Sequence, residues 1–138
     1  ERVPMVARID TNGSLDATFN GGFTSYPTTA DTFGLAIDST GDIFYAFRHG
    51  SDTHIRRLSS SDGSVIADFT NTDLNAGSDD GVKDLVILPN DDVLLLGTAG
   101  TSSPSRTDSA VVRYTNGGTL VSSWDGDGIA LLGNFGGN

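Results

Sequence analysis

The chain has 138 residues, a formal net charge of −10 and no cysteine. The acidic excess argues against nucleic acid and anionic membrane surfaces as partners, since phosphate contacts need Lys and Arg. The absence of Cys excludes disulfides and thiolate metal sites. Among the 18 acidic residues Glu1 is the sole glutamate, and Gly also numbers 18. Asp and Gly are turn residues whereas Glu favours helices, so the bias predicts many turns and few helices. The start, ERVPMVARID, lacks the basic-then-apolar layout of a signal peptide. It also lacks an initiating Met, which leaves the chain either processed or cut from something longer.

Taken in chain order, residues 6–19 read VARIDTNGSLDATF: an Arg, an apolar residue, a polar Gly-bearing turn, another apolar residue and an aromatic. Residues 33–47, FGLAIDSTGDIFYAF, read as apolar strand, four-residue turn and apolar strand. The first pattern returns at 55–69, the second at 83–97, and the first once more at 111–124. The turn glycines Gly13, Gly63 and Gly118 are spaced 50 and 55 apart, and the aromatics Phe19, Phe69 and Trp124 repeat the same spacings. Two landmarks with equal spacing make a repeat. Its turns carry Asn-Gly and Asp-Gly pairs (Asn12-Gly13, Asp62-Gly63), which supply the positive φ of tight hairpins. The runs DIFYAF and DVLLLG are continuous apolar stretches, as expected of strands buried on both faces. No run approaches the roughly 20 apolar residues of a membrane-spanning helix.

One period therefore holds four short antiparallel strands, the sequence signature of a propeller blade. The expected fold is all-β and β-propeller-like, a single repeat-built domain. It divides into an outer half-blade at 5–19, blades at 33–69 and 83–124, and the start of a further blade, or a closing strand, at 129–138. A closed propeller needs at least four blades. The chain is then either an excerpt of a longer polypeptide or one of several copies, the N-terminal half-blade of one joining the C-terminal strand of the next.

VARIDTNGSLDATFNGGF resembles the delta-sixty repeat of secreted and surface bacterial proteins and of phage proteins. The likeness lies in an Arg–apolar pair, a D/N-Gly turn, Leu-Asp, a small residue and Phe. The first copy carries it through Arg8, Asn12, Gly13, Leu15, Asp16 and Phe19. The second keeps Arg57, Asp62, Gly63 and Phe69, with Val65 and Ile66 in place of Leu and Asp. The third keeps Arg113, Gly118 and Leu120, with Val121 for Asp and Trp124 for Phe. GLAIDSTGDIFYAF is similar to the NHL class of blade. The resemblance implies a propeller-type repeat and a place outside the cell, and it implies no shared activity.

Candidate chemistry is sparse. His49 and His54 flank a polar loop and with Asp52 form a conceivable metal set, yet they read better as decoration of an exposed inter-strand loop. Asp10, Asn12 and Asp16, then Asp79 and Asp80, then Asp125 and Asp127 invite a calcium reading. Hairpin geometry alone accounts for them, and no closing Glu is at hand. No nucleophile elbow is present, and any carboxylate pair for glycoside hydrolysis would be an arbitrary choice. Arg8, Arg57 and Arg113 are expected to pair with Asp of their own or the next blade. Phe19, Phe69 and Trp124 are expected in core or inter-blade packing. The polar insertion 98–110 is the candidate recognition loop. No catalytic, cofactor-binding or metal residue is assigned. The expected function is a non-enzymatic structural or interaction module of a secreted, cell-surface or virion-associated assembly. Its partners would be other protein subunits, copies of itself among them, with no nucleic acid and no membrane insertion. The alternative is a carbohydrate- or ligand-binding propeller module using loops such as 98–110.

Overall fold

The computed structural model describes residues 3–27, 30–49, 52–71, 82–100 and 107–132. Among these, every element is a strand except one 3-10 turn at Asn20–Gly22. Strands β1 (Met5–Ala7) and β2 (Phe23–Ser25) form an N-terminal antiparallel pair. Strands β3 (Asp31–Ile37), β4 (Ile43–His49), β5 (Asp52–Leu58) and β6 (Val65–Asn71) form a four-stranded meander in sequence order. Strands β7 (Val82–Ile87), β8 (Val93–Gly100), β9 (Thr107–Tyr114) and β10 (Ile129–Leu131) form a second one. All pairings are antiparallel. The architecture is β-propeller-like, in four-stranded antiparallel blades.

The turns explain the meander. In each outer turn the residue that opens it and the residue that closes it bond through N–H and C=O: Asp10 to Ser14, Ser59 to Ser64 and Thr115 to Thr119. Gly13, Gly63 and Gly118 take φ of 83°, 72° and 86° there, a region closed to most side chains. The inner turns repeat the device, with Gly41 at φ 89° and Asp91 at φ 65°.

Strand β4 lies at the centre of the packing. Alternate side chains of a strand point to opposite faces, and here both faces are covered. Phe44 and Ala46 enter a core shared with Val82, Leu85, Val93, Leu95 and Val112 of the second sheet. Ile43, Tyr45 and Phe47 enter a core shared with Val6 and Phe19 of the N-terminal pair. This is why DIFYAF is an unbroken apolar run. The inner strands of the two sheets approach closely, and a methyl group at Gly34 would meet the Leu85 backbone nitrogen at 2.8 Å.

The outer strand of the second sheet differs from expectation. Residues 119–124 make only an isolated bridge, Tyr114 to Leu120, and the fourth strand is β10, paired with Ala110–Val112. Ile129–Leu131 is thus the fourth strand of the second sheet. Between bridge and strand the chain loops outward through Asp125 (φ 51°), Gly126 (91°) and Gly128 (91°).

Candidate interaction surface

The N-terminal pair is the same unit as the outer half of the second sheet. Ala7 opposes Phe23 as Val112 opposes Ile129, and Ile9 bridges Leu15 as Tyr114 bridges Leu120. The N–H of Arg8 reaches the Gly22 carbonyl, and the N–H of Arg113 reaches that of Gly128. Gly22 lies against Leu15, and Gly128 against Leu120. The two copies differ by one residue inserted before Gly128.

The recurring aromatics join one copy to the next. A methyl group added at Gly63 would come within 3.0 Å of the Phe19 ring, and one at Gly118 within 2.6 Å of the Phe69 ring. The aromatics of the first and second copies therefore sit on the turn glycine of the copy that follows. At the first turn glycine of the series, Gly13, a methyl group would meet nothing within 4 Å. Trp124, the only Trp of the chain, is half-buried. Further bonds cross the same boundaries. Arg8 donates to the carbonyls of Ser60 and Ser61. The Thr24 hydroxyl donates to the Gly63 carbonyl at 2.7 Å. Between the inner turns, Ser39 donates from its N–H (2.9 Å) and hydroxyl (2.6 Å) to the Asp91 carboxylate.

The repeated arginines do pair with aspartates. Arg57 bonds Asp38 at 2.9 Å and Asp42 at 2.8 Å, Arg113 bonds Asp92 at 2.6 Å, and Arg8 bonds Asp16 at 2.8 Å. Asp42 and Asp92 are equivalent positions. Burial pushes both carboxyls up, but hydrogen bonds outweigh it and hold them below the usual range. The donors are Ser60 and Arg57 at Asp42, and Asn90 and Arg113 at Asp92. Asp16 is lowered chiefly by the Thr18 hydroxyl and N–H, with Arg8 adding to them.

Apolar side chains that are covered between the two sheets are bare at the N-terminal end. Ala110 and Tyr114 are 1% and 3% accessible, whereas their counterparts Met5 and Ile9 are 57% and 56% accessible. Leu15 and Phe23 are exposed where Leu120 and Ile129 pack against the shared core. A cleft of about 270 Å³ runs between this pair and the first blade, with Val6, Ile9, Leu35, Ile37 and Ile43 on its walls.

The remaining candidates fall into place individually. His49 closes β4 and His54 lies inside β5, so neither decorates an exposed loop. The His54 ring stacks on Phe47 at 5.2 Å, its Nδ1 lies 3.3 Å from the Thr70 hydroxyl, and Tyr26 tilts against both histidines. Two-residue alternation carries them onto the face of Phe47, and a polar neighbourhood in the sequence masked that. Among the described residues no group of three His, Asp or Glu is placed to hold a metal ion. The Asp10 carboxylate accepts from the N–H groups of Asn12 and Ser14, and that of Asp127 accepts from Ile129 N–H, which are turn-shaping bonds. Asp79 and Asp80 lie outside the described residues. Of the insertion 98–110, residues 98–100 and 107–110 are strand, with Thr98 opposite Ser109. Residues 101–106 lie outside the described part.

A family model described as "Domain of unknown function (DUF5122) beta-propeller" matches residues 2–19, the segment that holds β1, the first outer turn and Phe19. The chain is built of β-propeller-type repeats. No curated protein matches it at a significant level.

Proposed function

We propose that the chain is a non-enzymatic repeat module that works by blade-to-blade contact, as part of a secreted, cell-surface or virion-associated protein assembly. The observation that carries this reading is the N-terminal apolar face, whose equivalents are buried between the two sheets and which is itself uncovered. Large exposed apolar faces on soluble proteins mark interaction sites. Within this reading the repeats are of the delta-sixty kind, through Arg8, Asn12-Gly13, Leu15-Asp16 and Phe19, and that kinship supports a place outside the cell. The paired state of the repeated arginines also suits a packing device better than an anion site.

A ligand-binding reading draws on the 270 Å³ cleft, whose walls are chiefly apolar. The two part on a glycan array and a panel of hydrolase substrates applied to the purified chain. A packing module gives no saturable binding and no turnover. A saturable glycan signal that is lost in Leu35→Asp overturns it in favour of the ligand-binding reading.

A further inference from the structure

We propose that Trp124 docks on the Gly13 turn of a second copy, as Phe19 docks on Gly63 and Phe69 on Gly118, so that chains add head to tail. The inference rests on the packing-module reading and names its partner. Its basis is the series Phe19 on Gly63 and Phe69 on Gly118, which leaves Trp124 as the next aromatic and Gly13 as a turn glycine with open space around it. The outer turns at Gly13 and Gly118 share one hydrogen-bond pattern and one glycine conformation, so the Gly13 turn has the shape that Phe69 already grips at Gly118.

The faces around these two points match as well. On the first blade, Phe44, Ala46 and Ile55 point toward the following sheet and are fully buried by it. Their counterparts by pairing register on the second blade are Leu94, Leu96 and Val111, all only half-buried. The N-terminal pair is the outer half of a blade, and its Val6 and Arg8 already pack on the blade after it. Its opposite face, with Met5 and Phe23, is what the half-covered face of another copy's second blade would meet. Such a junction is heterologous, since two different patches meet. It closes into a ring if the rotation per copy allows, and otherwise continues as a filament.

The chain's only Trp reports on the junction directly. Emission of Trp124 and mass by light scattering are followed together across a dilution series. Assembly with a shift of the emission to shorter wavelength at high concentration is expected. Gly13→Asn keeps a residue that tolerates positive φ and fills the space the ring would take. It should raise the midpoint concentration at least about tenfold, the loss expected for one central aromatic contact. Trp124→Ala should do the same. The decisive sample is an equimolar mixture of the two variants: one retains a sound tail and the other a sound head. The mixture should form a dimer and nothing larger. A wild-type chain that stays monomeric at about 100 µM, a concentration at which even weak specific pairs form, overturns the proposal. So does an assembly that neither variant weakens. Either result leaves the glycan and substrate outcome untouched, so failure of the pairing is separable from failure of the module reading.

Discussion

Two kinds of residue carry the blade contacts, and each has a measurable cost. Gly118 combines φ 86° with a Phe69 ring where a methyl group would stand, whereas the adjoining Gly117 has ordinary φ and its nearest neighbour at 3.9 Å. Gly118→Ala should destabilise by about 2–4 kcal/mol, from roughly 1–2 for the left-handed conformation and the remainder for displacing the ring. Gly117→Ala should cost under about 0.5 kcal/mol, as surface changes do. Urea unfolding of both variants checks the contrast, and equal costs would show that Phe69 does not rest on that turn. Arg57 is the second case. It bonds Asp38, whose side chain is wholly inaccessible, together with Asp42. Arg57→Ala strands those carboxylates and should cost about 2–3 kcal/mol. That is less than the roughly 3–5 kcal/mol of a fully buried pair, because Arg57 keeps some access to solvent. Arg57→Lys should recover only part, since a point charge cannot span two carboxylates.

At the scale of strands and turns, the paired carboxylates set the acid limit of the fold. Asp42 and Asp92 fix the inner turn of each blade to its third strand and are held below their ordinary range in the folded chain. A carboxyl whose folded pKa is depressed stabilises fully above its unfolded pKa, near 4, and loses that contribution as pH falls through the folded value. Melting temperature should therefore be level from about pH 7 to 5 and drop steeply below about pH 4. The double variant Asp42→Asn, Asp92→Asn should start lower at neutral pH and show a shallower drop. A wild-type profile that stays level to pH 2 would mean these pairs contribute nothing.

Most of this element order could be read from spacing. The 50- and 55-residue repeats of Gly and aromatic positions located both blades, and the unbroken apolar run at β4 foretold a strand covered on two faces. The fourth strand of the second blade could not be read from the aromatic alone. Phe69 lies inside β6, but Phe19 and Trp124 lie in loops that lead to β2 and β10. The signal that separates them is the glycine after the aromatic, at Gly21 and Gly22 and at Gly126 and Gly128, with none directly after Phe69. Those glycines take positive φ and turn the chain out and back. The histidines are hard to place for another reason: their sequence neighbours are polar, while strand alternation decides which side chain is covered.

At the scale of the whole molecule, the question is whether the blades unfold as separate units. Long repeat arrays come apart stepwise when each unit is stable alone and its interfaces are weak. Here the interfaces dominate. Phe44, Ala46 and Ile55 of the first blade belong to the same buried cluster as Leu85, Leu95 and Val112 of the second, and β4 also covers Val6 and Phe19 on its other face. Neither sheet can open without exposing the other. A single cooperative transition is therefore expected, with Trp124 fluorescence, which reports the second blade, coinciding with far-ultraviolet circular dichroism of the whole chain. Phe44→Ala, which hollows the first blade, should lower both signals together by about 3–5 kcal/mol. If the Trp124 transition held its wild-type midpoint while the dichroism moved, the second blade would be a unit in its own right. The shared core would then be a contact between two domains and not the centre of one.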